Sequence, residues 1–78
     1  MITKHPIYLD FPEFADKIKD LYHHNDEFQV LVHSYTELDE KIYKIETDEE
    51  LAMDDELSQL RKDRVFLKDE IYNFLENN

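Results

Sequence analysis

Seventy-eight residues with no Cys, no Gly, two Pro and a formal charge of −11, from 9 Lys and Arg against 20 Asp and Glu, permit one small domain without disulfides. This acidity argues against a nucleic-acid backbone, whose affinity is built from Lys and Arg that displace counterions, and against an anionic membrane surface. No apolar run exceeds three residues, as at Val30 to Val32, far short of the ~20 that span a bilayer.

The opening residues MITKHPIYLD contain Pro6, show no 3.6-residue period and lack a signal-peptide apolar core, so residues 1–10 are read as an extended lead-in whose Ile7, Tyr8 and Leu9 can still dock. Without a leader and without Cys, the chain is expected in the cytoplasm. The absence of Gly and the scarcity of alternating apolar and polar runs make the remainder helical. Helix 1 is predicted over about 11–22, with Asp10 as a capping residue, Pro12 near the first helical position and Glu13 in the first turn. Its apolar residues Phe14, Ile18, Leu21 and Tyr22 form one face on a rod too short to stand alone.

The pattern breaks at His23 to Asp26, where Asn25 or Asp26 can cap a second helix. Over about 25–46, Phe28, Leu31, Tyr35, Leu38, Ile42 and Ile45 alternate spacings of three and four, which is a heptad seam. Glu13 and Lys17, Glu37 and Lys41, and Glu40 and Lys44 each place acid before base four residues apart. The stretch from Glu46 to Glu56 holds seven acids and no base, and the connection to the third helix must lie here. Thr47 to Glu50 fits a capping box, so helix 3, over about 50–75, begins there or as late as Asp54. Its seam is Met53, Leu57, Leu60, Arg64, Leu67, Ile71 and Phe74.

Two long helices joined by a short connection predict an all-α fold: an antiparallel helical hairpin, with the short N-terminal helix laid over its open end. A turn near residues 48–50 would set Ile45 against Met53, Leu38 against Leu60, Leu31 against Leu67 and Phe28 against Ile71, with Arg64 near Tyr35. Val30, Val32, Val65, Phe66, Tyr72 and Leu75 are surplus apolar residues toward the open end. The closed end would be a thin two-helix ribbon, and self-association is one way to complete its core.

Phe11-Pro12-Glu13-Phe14 followed by Asp16, Ile18 and Leu21, then Asn25 and Phe28, Leu38-Asp39 and Ile42, Leu60-Arg61-Lys62-Asp63-Arg64, and Leu67-Lys68-Asp69-Glu70-Ile71 closely resemble the YdcH-like family of short bacterial proteins over about residues 11–75. The resemblance implies a small, all-helical, intracellular protein with a long hairpin and no assigned activity. The family often carries His-Asn where this chain has Tyr35-Thr36, so no role for that histidine carries over, and the ten-residue lead-in also departs from the family pattern.

Arg64 is the most informative residue, because a guanidinium at a seam position costs stability unless it is paired or its stem lets the head reach water. It reads either as a residue that selects register or partner, or as a snorkelling side chain. Tyr35 is its expected neighbour. Tyr43, outside the seam near the thin end, and Phe66, among the surplus apolar residues, are interaction candidates, since aromatic side chains anchor protein interfaces. The histidines His5, His23, His24 and His33 include no pair one turn apart within a helix, so no metal site is expected. An EF-hand calcium loop needs a Gly that this chain lacks. Ser34 and Ser58 have no His at helical contact spacing, and neither a cofactor nor catalysis is expected. The expected role is therefore a non-enzymatic module for protein binding or self-association, a dimer included. The competing reading is a small-ligand or divalent-metal carrier using the acidic turn.

Overall fold

A computed structural model describes residues 7–78, the Tyr8 side chain excepted. Four α-helices and one 3-10 turn follow in order: α1 (Ile7–Asp10), the turn Pro12–Phe14, α2 (Ala15–His24), α3 (Asp26–Glu46) and α4 (Asp54–Asn77). No strand occurs among the described residues.

The predicted extended lead-in is corrected at its second half, while its first six residues, His5 among them, lie outside the described residues. Residues 7 to 10 make one helical turn, closed by the Phe11 amide donating to Ile7 O at 3.2 Å. Ile7 and Phe11 are four residues apart and both buried, so packing stabilises a turn too short to persist alone. Leu9, on the other side of this turn, is exposed. Asp10 does not cap the next helix as expected. Phe11 occupies that position with no side-chain cap, Pro12 opens the 3-10 turn, and the helix that follows runs to His24.

Asn25 does cap α3: its Oδ1 accepts from the Phe28 amide at 3.0 Å. At its other end Thr47, expected to open a capping box, instead closes α3, and its hydroxyl donates to Tyr43 O at 2.8 Å. The Asp48 amide donates to Ile45 O and the Glu49 amide to Lys44 O, the paired bonds of a Schellman motif. Asp48 takes the left-handed position that motif requires, with φ 62°, where glycine is the usual occupant. With Thr47 spent on α3, α4 begins at Asp54, the later of the two expected starts, and Asp54, Asp55 and Glu56 face the positive end of its dipole.

This longer connection corrects the predicted pairing. Met53 is not a seam residue: it precedes α4 and is exposed, as is Leu51. Phe28 and Ile71, expected to meet, share the buried cluster, while the other contacts between α3 and α4 fall one to more than two turns beyond the expected register. The Phe28 ring lies 5.4 Å from that of Phe74, Arg64 Nη1 is 2.9 Å from Asp39 Oδ1, and Arg61 Nη2 is 2.8 Å from Glu46 Oε2. The 38 Å long dimension of the chain is close to the length of the 24-residue α4, about 36 Å at 1.5 Å per residue.

Phe28, Ile42, Ile71 and Leu75 are fully buried, each contributing about 1.5–3 kcal/mol of burial. Ile7, Phe11, Ile18 and Tyr35 join Phe28, Ile71 and Leu75 in one cluster, with Phe14, Leu21, Val32 and Phe74 packed against it. The N-terminal segment contributes Ile7, Phe11 and Ile18 to this cluster. Phe11 and Phe14 place their rings 5.6 Å and 6.1 Å from Tyr72, and the Tyr22 hydroxyl is 3.0 Å from His33 Nε2. Lys17 was expected to pair with Glu13; its Nζ donates to Leu75 O at 2.7 Å, giving a donor to one of the carbonyls that the last turn of α4 leaves without a helical partner.

Candidate functional site

The polar centre brings together two charge pairs and a tyrosine drawn from three helices. Asp39 on α3 is 6% exposed, and it holds the half-buried Arg64 of α4. One turn earlier on α3, the buried Tyr35 donates its hydroxyl to Asp10 Oδ2 of α1 at 3.0 Å. Asp10 Oδ1 in turn lies 3.8 Å from Lys68 Nζ on α4, and that ammonium stands 5.7 Å from the centre of the Phe11 ring. Asp10, Tyr35, Arg64, Val65 and Lys68 line a shallow cleft of about 180 Å³.

Arg64 at a seam position is thus a paired cation whose stem crosses the helix interface. Tyr35 is held neutral. Burial, then the hydrogen bond to Asp10, then the negative charges of Asp10 and Asp39 push its phenol well above the ordinary 10.0, with Arg64 pulling the other way. A phenol kept protonated and a carboxylate already engaged by a cation can donate and accept hydrogen bonds, and here both capacities are used to tie α1 to α3 and α4. The arrangement is a clasp.

The four expected interaction residues do not converge. Arg64 and Tyr35 share the cleft. Phe66, two residues and about 200° further round α4, points to the opposite flank and is 63% exposed. Tyr43 is half-buried rather than exposed. It stands about one turn from Asp39 and from Glu46, on the flank that Arg64 and Arg61 reach across to.

Asp39, Asp10 and Lys68 belong to the clasp and were not expected from the sequence as interaction residues, Asp10 being read as a helix cap. For Asp39 a signal existed: a seam cation needs an acid facing it, and Asp39 follows the seam residue Leu38. For Asp10 and Lys68 none existed, because their meeting depends on a helical turn at Ile7–Asp10 that the sequence period does not reveal.

The remaining expected sites stay apart. His23 and His24 are exposed in the last turn of α2, where His24 Nδ1 lies 3.3 Å from Asp20 Oδ1. Among the described residues no group of three or more His, Asp or Glu side chains is arranged to hold a metal ion. Nor, among them, is any helix long and apolar enough to cross a membrane.

No curated protein matches this chain, and no solved structure does. The family described as "Protein of unknown function (DUF465)" matches residues 28–75, from the first seam residue of α3 almost to the end of α4. The Phe11 to Phe14 motif lies outside that span. With more than half of its length matched, the chain belongs to this family, the YdcH-like small proteins of unknown function.

Proposed function

We propose that this protein is a non-enzymatic cytoplasmic module, an antiparallel helical hairpin closed at its open end by the N-terminal segment, whose work is to bind another protein. The pairs Phe28 with Phe74, Arg64 with Asp39 and Arg61 with Glu46 support the hairpin reading, and the Lys17 to Leu75 bond supports the closure.

One observation carries the binding reading. Val30, Val65 and Phe66 are each about 60% exposed on the two long helices, although the chain already holds a buried cluster that could take apolar residues. Large apolar side chains left exposed on rigid helices are the raw material of protein interfaces, and Val30 and Phe66 lie away from the clasp that Val65 adjoins. The charged groups between the helices are engaged with one another in the clasp, which supports a structural role for them. Self-association is the second form of the same reading, since the exposed apolar residues could meet those of another copy.

The test is capture from native cell extract with the tagged full chain, beside a Val30→Ser, Phe66→Ser double substitution of unchanged helicity, together with sedimentation at micromolar concentration. A protein retained by the parent chain and lost by the substituted one is the expected result. A monomeric parent chain that retains the same proteins as the substituted chain, and no others, overturns the reading.

A further inference from the structure

The two flanks of the paired long helices differ in what covers them and in charge. One carries the clasp and the N-terminal segment, and three of the four α4 cations, Arg61, Arg64 and Lys68, lie there, engaged with Glu46, Asp39 and Asp10. On the other, Val30 and Leu31 of α3 and Phe74 of α4 form a groove of about 390 Å³ whose remaining lining residues are Glu27 and Glu70. Phe66 lies one turn before Glu70 on α4, extending the same apolar strip toward the middle of the helix, and Asp63 lies three residues before Phe66. The five residues that line the groove are apolar along its middle, acidic at its edges and include no base, while Lys62 stands one turn before Phe66, beyond the groove.

We infer that the groove between Val30 and Phe74 takes a basic amphipathic helix of another protein, apolar residues seated on Val30, Leu31 and Phe74 and reaching along α4 to Phe66, and Lys or Arg along its margins facing Glu27 and Glu70. The inference rests on the protein-binding reading above and adds the face and the partner chemistry. Helix-in-groove recognition needs two parallel ridges, an apolar floor and a few anchors spaced by a turn, and α3 and α4 supply these. Charge selects the occupant. A second copy related by a two-fold axis on this face would set Glu27, Asp63 and Glu70 against the same residues, in molecules that each carry −11. An acidic or neutral helix would leave those carboxylates without compensation, whereas a basic one gains from each and associates faster.

The test uses the full chain and two synthetic helical peptides of about 18 residues with identical Leu anchors one turn apart, one flanked by Lys and the other by Glu. Binding is followed by the amide and methyl NMR signals of the protein. The Lys peptide is expected to shift Val30, Leu31, Phe66 and Phe74 in preference to Leu9 and Val65, to weaken as salt is raised, and to lose about tenfold or more in affinity against Glu27→Lys, Glu70→Lys or Phe66→Ser chains. All three positions are exposed, and unchanged melting of the substituted chains confirms folding. The inference is overturned if the Glu peptide binds as well, if shifts map to the clasp flank, or if the charge-reversed chain binds the Lys peptide undiminished. Dimerisation through Val30 and Phe66 would also overturn it while leaving the protein-binding reading intact. That reading falls separately, on the extract experiment.

Discussion

Replacing Arg64 by Leu measures how much the clasp contributes. The Asp39 side chain is 8% exposed and the Arg64 side chain 23% exposed, so the pair lies between a surface ion pair, worth about 0–1 kcal/mol, and a buried one, whose rupture costs about 3–5 kcal/mol. At 4 Å and an effective dielectric near 20, two unit charges attract by about 4 kcal/mol, and partial exposure of Arg64 lowers that. Arg64→Leu should therefore cost about 2–3 kcal/mol, because it leaves Asp39 buried without the guanidinium. Asp39→Leu should cost a similar amount by stranding Arg64, discounted where the longer side chain swings to water. The double variant removes both charges and fills the interface with hydrocarbon, so it should return to within about 1 kcal/mol of the parent. Against a total stability of about 4–12 kcal/mol for a chain of this size, these are large effects. Urea denaturation followed by circular dichroism, run as a double-mutant cycle, gives the coupling energy directly. A coupling below about 0.5 kcal/mol, with both single variants near the parent, would place the pair with surface contacts and refute the clasp.

Three further perturbations read other parts of the structure. Asp48→Gly should stabilise the chain by about 0.5–1 kcal/mol in urea melts, because a side chain bearing Cβ now occupies the left-handed position of the Schellman motif, and no gain would mean that this turn is not formed. Asn25→Ala should cost about 1 kcal/mol by removing the cap on the Phe28 amide, and a stability equal to the parent's would remove Asn25 from that role. Tyr35 sets an alkaline limit. Its phenol binds its proton more tightly folded than unfolded, so its contribution is complete below pH 10 and declines as pH rises beyond it, and Tyr35→Phe should flatten that decline in melting temperature, while a parallel decline in both chains would contradict the Asp10 contact.

The long elements were legible in the sequence because their signal is redundant. Six seam residues from Phe28 to Ile45 repeat the same spacing, all six are buried or half-buried, and Asn25 caps where a capping residue was expected. The failures cluster where one local signal had two uses. Thr47 followed by Glu50 matches a box that opens a helix, yet the same hydroxyl reaches back one turn to close α3. That single choice moved the start of α4, removed Met53 from the seam and displaced contacts between α3 and α4 by a turn or more. Asp10 before Pro12 likewise fits a cap, but Tyr35, 25 residues away, takes its carboxylate. The clasp was half visible, since a cation on a seam requires an answering acid, and its third arm was not, because that arm depends on a helical turn stabilised by burial of Ile7 and Phe11.

The most direct test of partner binding on the uncovered flank is the methyl spectrum of the isotope-labelled full chain recorded first in buffer and then in native cell extract. Val30 and Leu31 signals should shift or lose intensity selectively, while those of Val65 on the clasp flank and of the fully buried Ile42 stay sharp. Val30 and Leu31 unchanged in extract, with the chain still folded, would contradict the assignment of this flank as the protein's working surface.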